Sequence, residues 1–144
     1  MALDGEYEPS PAAWVRDQVE AYERTGGEEG GDMQGAPVVV LWTRGRHSGK
    51  VRKAALIRVE HEGKYAVVAS LGGAPKHPVW YLNLLADPDV SLQDGPKIMD
   101  LRARTATPEE KAIWWPRATA AWPAYDNYQA KTERDIPVVL LEPR

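Results

Sequence analysis

The chain is organised around residues 37–56, which read PVVVLWTRGRHSGKVRKAAL. An apolar run enters a turn rich in positive charge and a second extended run leaves it, which predicts two strands joined at a basic turn. Between Met33 and Val59 there is no acidic side chain, but there are six cationic ones: Arg44, Arg46, Lys50, Arg52, Lys53 and Arg58. In a protein of net charge −3 this segment indicates an anion site, because a guanidinium binds two oxygens of a phosphate or carboxylate at once. The alternative is a solvated hairpin tip with scattered charges.

The composition limits the functions that the chain can have. Its 144 residues suffice for one domain with its own hydrophobic core. The absence of cysteine excludes disulfides, thiolate metal sites and a cysteine nucleophile, and it fits a cytoplasmic protein. The three histidines show no ligand-like spacing, so no metal site is expected. No signal peptide and no membrane-spanning segment are predicted.

The first 35 residues differ in character from the remainder and are predicted to form a separate N-terminal segment. Residues 1–32 carry nine acidic and two basic side chains, whereas the rest of the chain carries 16 basic and 12 acidic ones, a net charge of +4. Residues 1–9 are predicted to be disordered, a helix is predicted from Ser10-Pro11 to Thr25, and a Gly-rich linker follows to residue 35. An acidic amphipathic helix binds anionic lipid poorly, so we expect it to pack on the body of the protein and do not expect it to anchor a membrane.

Residues 36–144 are predicted to form one mainly β domain. Six strands are expected, at 38–43, 51–59, 65–70, 90–93, 97–105 and 136–141. Three helices are expected, at 78–85, from Thr107 to about Ala121, and at 125–132; Thr107 and Glu110 have the spacing of a capping box. Few parallel crossover units are present, which favours an antiparallel barrel, closed or split, in the α+β class.

Two further segments have residues suited to chemistry. Gly72-Gly73 lies between a strand end and a helix start, where exposed N–H groups could bind the carbonyls of a planar heterocycle or a phosphate; an ordinary connector is the alternative. Trp122, Tyr125 and Tyr128 could wall a pocket for a flat substrate, and a core cluster is the alternative. No Ser–His–Asp order or close carboxylate pair supports hydrolysis.

Residues 43–52, residues 70–84 and Ala86-Asp87-Pro88 together resemble the deazaflavin-dependent nitroreductase family, actinobacterial oxidoreductases that use coenzyme F420. The resemblance covers about residues 36–143 and is closest to the quinone and nitroimidazole reductases. It implies a six-stranded antiparallel split β-barrel, like the FMN-binding barrels, with peripheral helices. It also implies hydride transfer from reduced F420 to a quinone-like or nitroaromatic acceptor. The coenzyme carries a phosphodiester and an oligoglutamate tail, a polyanion that would explain the acid-free basic segment.

Matched by motif, the resemblance also implies the site residues. Tyr125 is the implied catalytic residue beside coenzyme and substrate, and Trp122 and Tyr128 lie on the substrate side. The residues implied to bind the coenzyme are Arg46, His47, Ser48, Arg52, Lys53, Ala54, Ala55, Leu56, Val68, Ala69, Ser70, Leu71, Val79, Trp80, Tyr81, Leu82 and Asn83. The sequence departs from the family pattern at His47 and Leu71, where lysine is frequent, and at Trp122, where the best-known nitroreductase has tyrosine.

Other functions remain open at this stage. The chain could be an F420-binding or carrier protein without turnover, or an FMN-dependent reductase. A nucleic-acid-binding module is disfavoured by the modest charge of +4 and by the acidic N-terminal segment. The physiological acceptor, the proton donor and the oligomeric state do not follow from the sequence.

Overall fold

Eight strands and four α-helices make up residues 3–144, the part of the chain that the computed structural model describes. The strands are β1 Asp32–Met33, β2 Ala36–Arg44, β3 Val51–Ile57, β4 Val59–His61, β5 Lys64–Val68, β6 Asp89–Asp94, β7 Lys97–Thr105 and β8 Val138–Pro143. The helices are α1 Ala13–Thr25, α2 Val79–Ala86, α3 Pro108–Ala121 and α4 Ala124–Lys131, and a 3₁₀ turn spans Leu71–Gly73. None of the helices in residues 3–144 is long and apolar enough to cross a membrane.

The strands form one curled antiparallel sheet, a half-barrel. Its order is β1-β2-β6-β7-β8-β5-β4, and β3 pairs with the edge of β2 opposite to β6. The chain bends at Arg58, whose N–H donates to the carbonyl of Pro37 at 2.9 Å. On one side of the bend Ile57 pairs with Val38 of β2, and on the other Val59 pairs with Ala66 of β5. The bend therefore turns one extended segment from one side of the curled sheet to the other.

The mainly β, antiparallel α+β class is confirmed, but the predicted count of six strands is wrong. The segment predicted as one strand at 51–59 is two strands, because Arg58 leaves the ladder at the bend. The short strand β1 is additional, and it lies in the segment predicted as a linker. It pairs with the start of β2 across a two-residue turn in which Gln34 and Gly35 have φ values of 50° and 86°.

Strands β2, β5 and β8 are buried on both faces along most of their length, which explains why they read as apolar runs. Along β2, Val38 and Val40 pack in the core cluster that α1, α3 and α4 cover. The intervening Val39 and Leu41 pack in a second cluster, with α2. Val19 and Tyr22 of α1 belong to the first cluster, so the N-terminal helix packs on the sheet as expected.

The helix ends confirm two local sequence signals and correct a third. The capping box of α3 is confirmed, because Thr107 Oγ1 accepts from the N–H of Glu110 and a Glu110 carboxylate oxygen accepts from the N–H of Thr107. Helix α1 ends where predicted, at Gly26 in the left-handed conformation. It begins later than predicted, because the hydroxyl of Ser10 accepts from the N–H of Ala12 and shapes the preceding turn.

Residues 4–8, here called the N-terminal strap, run along strand β3. The N–H of Val51 donates to the carbonyl of Glu6 at 2.8 Å, and the N–H of Glu8 donates to the carbonyl of Val51 at 2.9 Å. Tyr7 thereby pairs in parallel with Val51, at the side of β3 that faces away from β2. The prediction of disorder for residues 1–9 is therefore wrong for the strap, which satisfies backbone groups of an edge strand; residues 1 and 2 lie outside the described part.

Candidate functional site

A cavity of about 310 Å³ lies where β3, β5, the Leu71–Gly73 turn, α2 and α4 meet. It brings together three segments that lie apart in the sequence. They are strand β3, which follows the basic turn at residues 44–50, the loop at residues 69–74 that contains Gly72 and Gly73 (here called the Gly-pair loop), and the aromatic segment at residues 122–128. Its lining residues are Trp14, Met33, Ala55, Leu56, Ile57, Val68, Ser70, Leu71, Gly72, Pro78, Trp80, Trp122, Tyr125 and Tyr128. The walls are mainly apolar and aromatic, which suits a flat, partly hydrophobic ligand.

The Gly-pair loop forms one wall in an unusual backbone conformation. Leu71, Gly72 and Gly73 have φ values of 45°, 63° and 82°, a region that glycine adopts readily and leucine does not. The N–H groups of Gly73 and Ala74 bond back to carbonyls within the loop. In the described part of the chain no acceptor is found for the N–H groups of Leu71 and Gly72. These two donors are available to a ligand in the cavity.

The aromatic wall is held by contacts among its own rings. Tyr125 and Tyr128 meet edge-to-face with ring centroids 6.1 Å apart. Trp122 donates from Nε1 to the hydroxyl of Tyr128 at 3.3 Å. Trp115 packs on the other side of Tyr125 at 6.2 Å and is itself fixed by a hydrogen bond from its Nε1 to Asp126. These contacts fix the relative orientation of the rings, which together present an aromatic surface to a flat molecule.

Tyr125 belongs both to the core and to the cavity. Its side chain is only 5% exposed and packs in the cluster with Val68 and Ile136. Within residues 3–144 its hydroxyl has no hydrogen-bond partner, yet it is not a fully enclosed atom. Burial, followed by the neighbouring Tyr128, raises the pKa of Tyr125 above the usual value for tyrosine. The hydroxyl therefore keeps its proton near neutral pH and can donate a hydrogen bond into the cavity.

The basic turn is anchored to α2. The N–H of Arg46 donates to Asn83 Oδ1 at 3.1 Å, and the buried Asn83 amide donates to Thr43 Oγ1 at 3.2 Å. The hydroxyl of Ser48 accepts from the N–H of Lys50, so it is used to close the turn. The side chains of Arg46 and His47 are exposed, and no ion pair engages them among the residues that the structure describes.

Acidic residues from the N-terminal 25 residues pair with the cations on and next to β3. Lys50 lies 3.3 Å from Glu6, and Arg52 lies 3.6 Å from Glu8. Lys53 is 2.7 Å from Glu23 of α1, and its ammonium lies over the rings of Trp42 and Tyr7. The side chain of Lys53 is only 12% exposed, so in this structure Lys53 holds α1 against the sheet.

Several residues that the resemblance implied for the coenzyme do not line this cavity. Tyr81 is buried, and its hydroxyl shares a hydrogen bond with Thr105. Ala69 is in the core, and Asn83 accepts a hydrogen bond from the N–H of Arg46 in the basic turn. Val79 is exposed at the surface of α2. Ala54 and Leu82 are also outside the lining, whereas Ala55, Leu56, Val68, Ser70, Leu71 and Trp80 are part of it.

The lining also includes residues that the sequence analysis did not assign to the site. Trp14 of α1 and Met33 of β1 come from the segment treated as separate from the barrel domain. Trp14 is 69% exposed, although it belongs to the helix that was expected to pack on the body. A tryptophan in that helix is the one sequence signal that α1 reaches the site.

A larger cavity of about 660 Å³ lies on β5, β7, β8 and α3 and contains none of the predicted site residues. Arg104 in its lining forms ion pairs with Glu110 and Glu142, each at 2.7 Å. No group of three metal-ligating side chains occurs within residues 3–144. The candidate site is therefore the smaller cavity between the loop and the aromatic wall.

Several known proteins are similar to this chain over most of its length. The profile of the F420H(2)-dependent quinone reductase family matches residues 14–143. An F420H(2)-dependent quinone reductase of Mycobacterium tuberculosis is 36% identical over 127 residues, which cover 85% of both chains. A solved structure described as an F420-H2 dependent reductase is 52% identical with a TM-score of 0.70, over 74% of this chain and 94% of that one. Another, described as a domain-swapped dimer, is 48% identical with a TM-score of 0.73, over 92% of this chain and all of that one. This chain belongs to the F420H(2)-dependent quinone reductase family.

Proposed function

We propose that this protein is an oxidoreductase that transfers a hydride from reduced coenzyme F420 to a quinone-like or nitroaromatic acceptor. The observation that carries the proposal is the course of strand β3, which begins beside cations and ends in the aromatic cavity. A coenzyme with an anionic tail and a flat ring requires both features. Membership of the family supports the same reaction, and the half-barrel fits the split barrel of the FMN-binding type as the finer description of the fold.

The residues present fit the two parts of this coenzyme. Ala55, Leu56 and Val68 offer an apolar surface for the ring, and the free N–H groups of Leu71 and Gly72 can bind its electron-rich atoms. Arg52 lies three residues before Ala55, roughly 10 Å along an extended strand, within reach of an anionic tail. Arg46 and His47 extend the cationic surface at the adjacent turn.

The chain itself supplies positioning, exclusion of water and a hydrogen-bond donor. When bound, the reduced coenzyme supplies the hydride. Trp122 and Tyr128 hold a flat acceptor within the cavity and keep water from it. The hydroxyl of Tyr125 can donate a hydrogen bond to the acceptor oxygen that gains negative charge, and its raised pKa keeps that proton in place.

One pair of experiments separates this proposal from its alternatives. Purified protein is titrated with F420 and with FMN, and binding is followed by fluorescence. Reduced F420 and menadione are then added without oxygen, and oxidation of the coenzyme is recorded. We expect saturable binding of F420, weaker binding of FMN and oxidation that depends on menadione. Binding without oxidation would indicate a carrier protein, and preferred binding of FMN would indicate a flavin-dependent reductase.

A further inference from the structure

The C-terminal end of α4 and the residues after it supply two cations whose acceptors are backbone carbonyls of the Gly-pair loop. Arg134 donates from Nη2 to the carbonyl of Ser70 at 2.6 Å, from Nε to that of Ala74 at 2.8 Å and from Nη1 to that of Ala69 at 3.1 Å. Lys131 donates to the carbonyl of Gly72 at 3.2 Å. No carboxylate lies within ion-pair distance of Arg134 in the described residues, so its guanidinium is committed to the loop.

The loop needs an external support of this kind. Leu71 occupies the left-handed region, which costs a residue with a side chain about 1 kcal/mol or more, and such a conformation persists only where its surroundings hold it. Gly73 lies against α4 so closely that a Cβ would be 2.8 Å from the carbonyl oxygen of Tyr128. The planar fork of a guanidinium can satisfy several carbonyls in fixed directions, which the single ammonium of lysine cannot do.

The fourth contact of Arg134 is with a histidine. Its Nη1 lies 3.1 Å from His77 Nδ1. Burial, with a smaller contribution from Arg134, lowers the pKa of His77, so the ring is neutral near pH 7 and Nδ1 can accept from Arg134. The guanidinium therefore links the loop, the approach to α2 and the end of α4.

We propose that Arg134 is a positioning residue that holds the Gly-pair loop in the conformation that receives the coenzyme. By binding the carbonyls of residues 69, 70 and 74, it keeps the N–H groups of Leu71 and Gly72 available to the coenzyme ring. It also fixes the loop relative to α4, which carries Tyr125 and Tyr128. This inference rests on the proposed function for the identity of the ligand.

The test compares Arg134→Lys and Arg134→Met with Arg102→Lys and Arg102→Met. Arg102 is an exposed arginine on β7, paired with Asp89 and outside the candidate site, so it is a matched control. We expect Arg134→Met to raise the Kd for F420 about tenfold or more, because the loop then occupies the receiving conformation in only a small fraction of the molecules. Arg134→Lys should lose less, because it keeps the positive charge and an ammonium that can still donate to a loop carbonyl, and the Arg102 variants should bind normally. The KM for reduced F420 should rise with Kd, while kcat at saturation changes by less than about threefold.

Amide hydrogen exchange gives a readout that is independent of the coenzyme. In the Arg134 variants, exchange should accelerate in residues 69–76 and remain unchanged in β6 and β7. Wild-type affinity together with wild-type exchange in Arg134→Met would overturn the inference, as would an equal loss of affinity in the Arg102 variants. If Arg134→Met does not fold, Arg134→Lys and Lys131→Met, which removes only the bond to Gly72, provide the same comparison. Failure of wild-type protein to bind F420 would refute the proposed function, while the exchange measurement would still decide whether Arg134 holds the loop.

Discussion

The two halves of strand β3 show opposite relations to the rest of the chain. The first half, residues 51–53, is covered by the N-terminal strap and α1, and its cations are paired with Glu8 and Glu23. The second half is apolar and is left open, with Ala55, Leu56 and Ile57 in the wall of the cavity. The segment that looks most available for binding in the sequence is thus the one that the chain itself partly occupies.

This difference shows that a segment rich in cations is not necessarily free to bind an anionic ligand, because other parts of the chain can pair with those cations. Three cations of the acid-free segment, Lys50, Arg52 and Lys53, pair with carboxylates about 30 to 45 residues earlier in the chain, Glu6, Glu8 and Glu23. These pairs differ in kind. Lys53–Glu23 is mostly buried, whereas the carboxylates of Glu6 and Glu8 are 73% and 43% exposed. An anionic ligand can therefore compete with the strap for Lys50 and Arg52 more easily than with α1 for Lys53.

The largest effect is a loss of stability, and it is expected in the Gly-pair loop, which lines the same cavity as the open half of β3. Gly73→Ala places a Cβ 2.8 Å from the carbonyl oxygen of Tyr128 at a residue with φ of 82°, so both strain and a clash with backbone should cost more than about 3 kcal/mol. Gly72→Ala is the matched control, because its φ of 63° is equally unfavourable but nothing lies within 4 Å. It should cost about 1 kcal/mol. Urea unfolding measures both, and equal losses would show that the loop does not dock on α4.

The next largest effect concerns coenzyme affinity and is expected at Arg52, in the covered half of β3. Arg52→Ala should weaken F420 binding about ten- to a hundredfold, since a hydrogen bond to a charged group contributes about 1.5 to 3 kcal/mol. The loss should shrink as salt is added, because Arg52 is partly exposed and the interaction is screened. Fluorescence titrations at low and high salt provide the measurement, with Arg102→Ala as the control. Unchanged affinity of Arg52→Ala at low salt would remove this cation from the site.

A smaller effect is expected at Tyr125, on the aromatic wall. Tyr125→Phe should lower kcat with menadione about tenfold and leave the Kd for F420 nearly unchanged, because only the hydrogen bond to the developing charge is lost. The raised pKa of Tyr125 means that its proton remains bound through the neutral range, so this group should not titrate in the kcat profile between about pH 6 and 9.

Tyr65→Phe is the control for that substitution, because the opposite effects on stability and kcat are expected from it. The hydroxyl of Tyr65 donates to Asp94 away from the candidate site, so its removal should lower stability and leave kcat unchanged. A thermal melt and steady-state kinetics on both variants decide whether the Tyr125 hydroxyl serves catalysis or only the stability of the core. If Tyr125→Phe instead loses stability with no change in kcat, the hydroxyl serves the core alone.

The smallest effect concerns the strap itself. Glu6→Gln/Glu8→Gln should tighten F420 binding about two- to fivefold at low salt, because exposed ion pairs contribute only about 0.2 to 1 kcal/mol each. The gain should vanish near about 0.5 M salt. Glu28→Gln/Glu109→Gln changes the net charge equally at positions outside the strap and should have no such effect. Weaker binding in the strap variant would mean that the strap forms part of the coenzyme site and does not compete with it.

Much of the secondary structure followed from local patterns. Alternation and apolar runs located the strands, the Thr107–Glu110 spacing located α3, and Gly26 marked the end of α1. The bend at Arg58 was not predicted, because an arginine within an apolar run gives no local sign that the strand changes its partner. The ordered strap was missed for a related reason, since an acidic, irregular segment gains order only from the edge strand that it meets.

The sequence by itself determined which chemical groups are present: the acid-free cations, the glycine pair and the three aromatic residues of the wall. These properties are local, because side-chain type and short-range spacing set charge, turn conformation and helix ends. Only the tertiary structure decided which of these groups are free. It paired Lys53 with Glu23, added Trp14 to the cavity and placed Arg134 on the loop carbonyls. Availability depends on partners that are distant in sequence, and these are chosen by how the curled sheet and the helices bury their apolar faces.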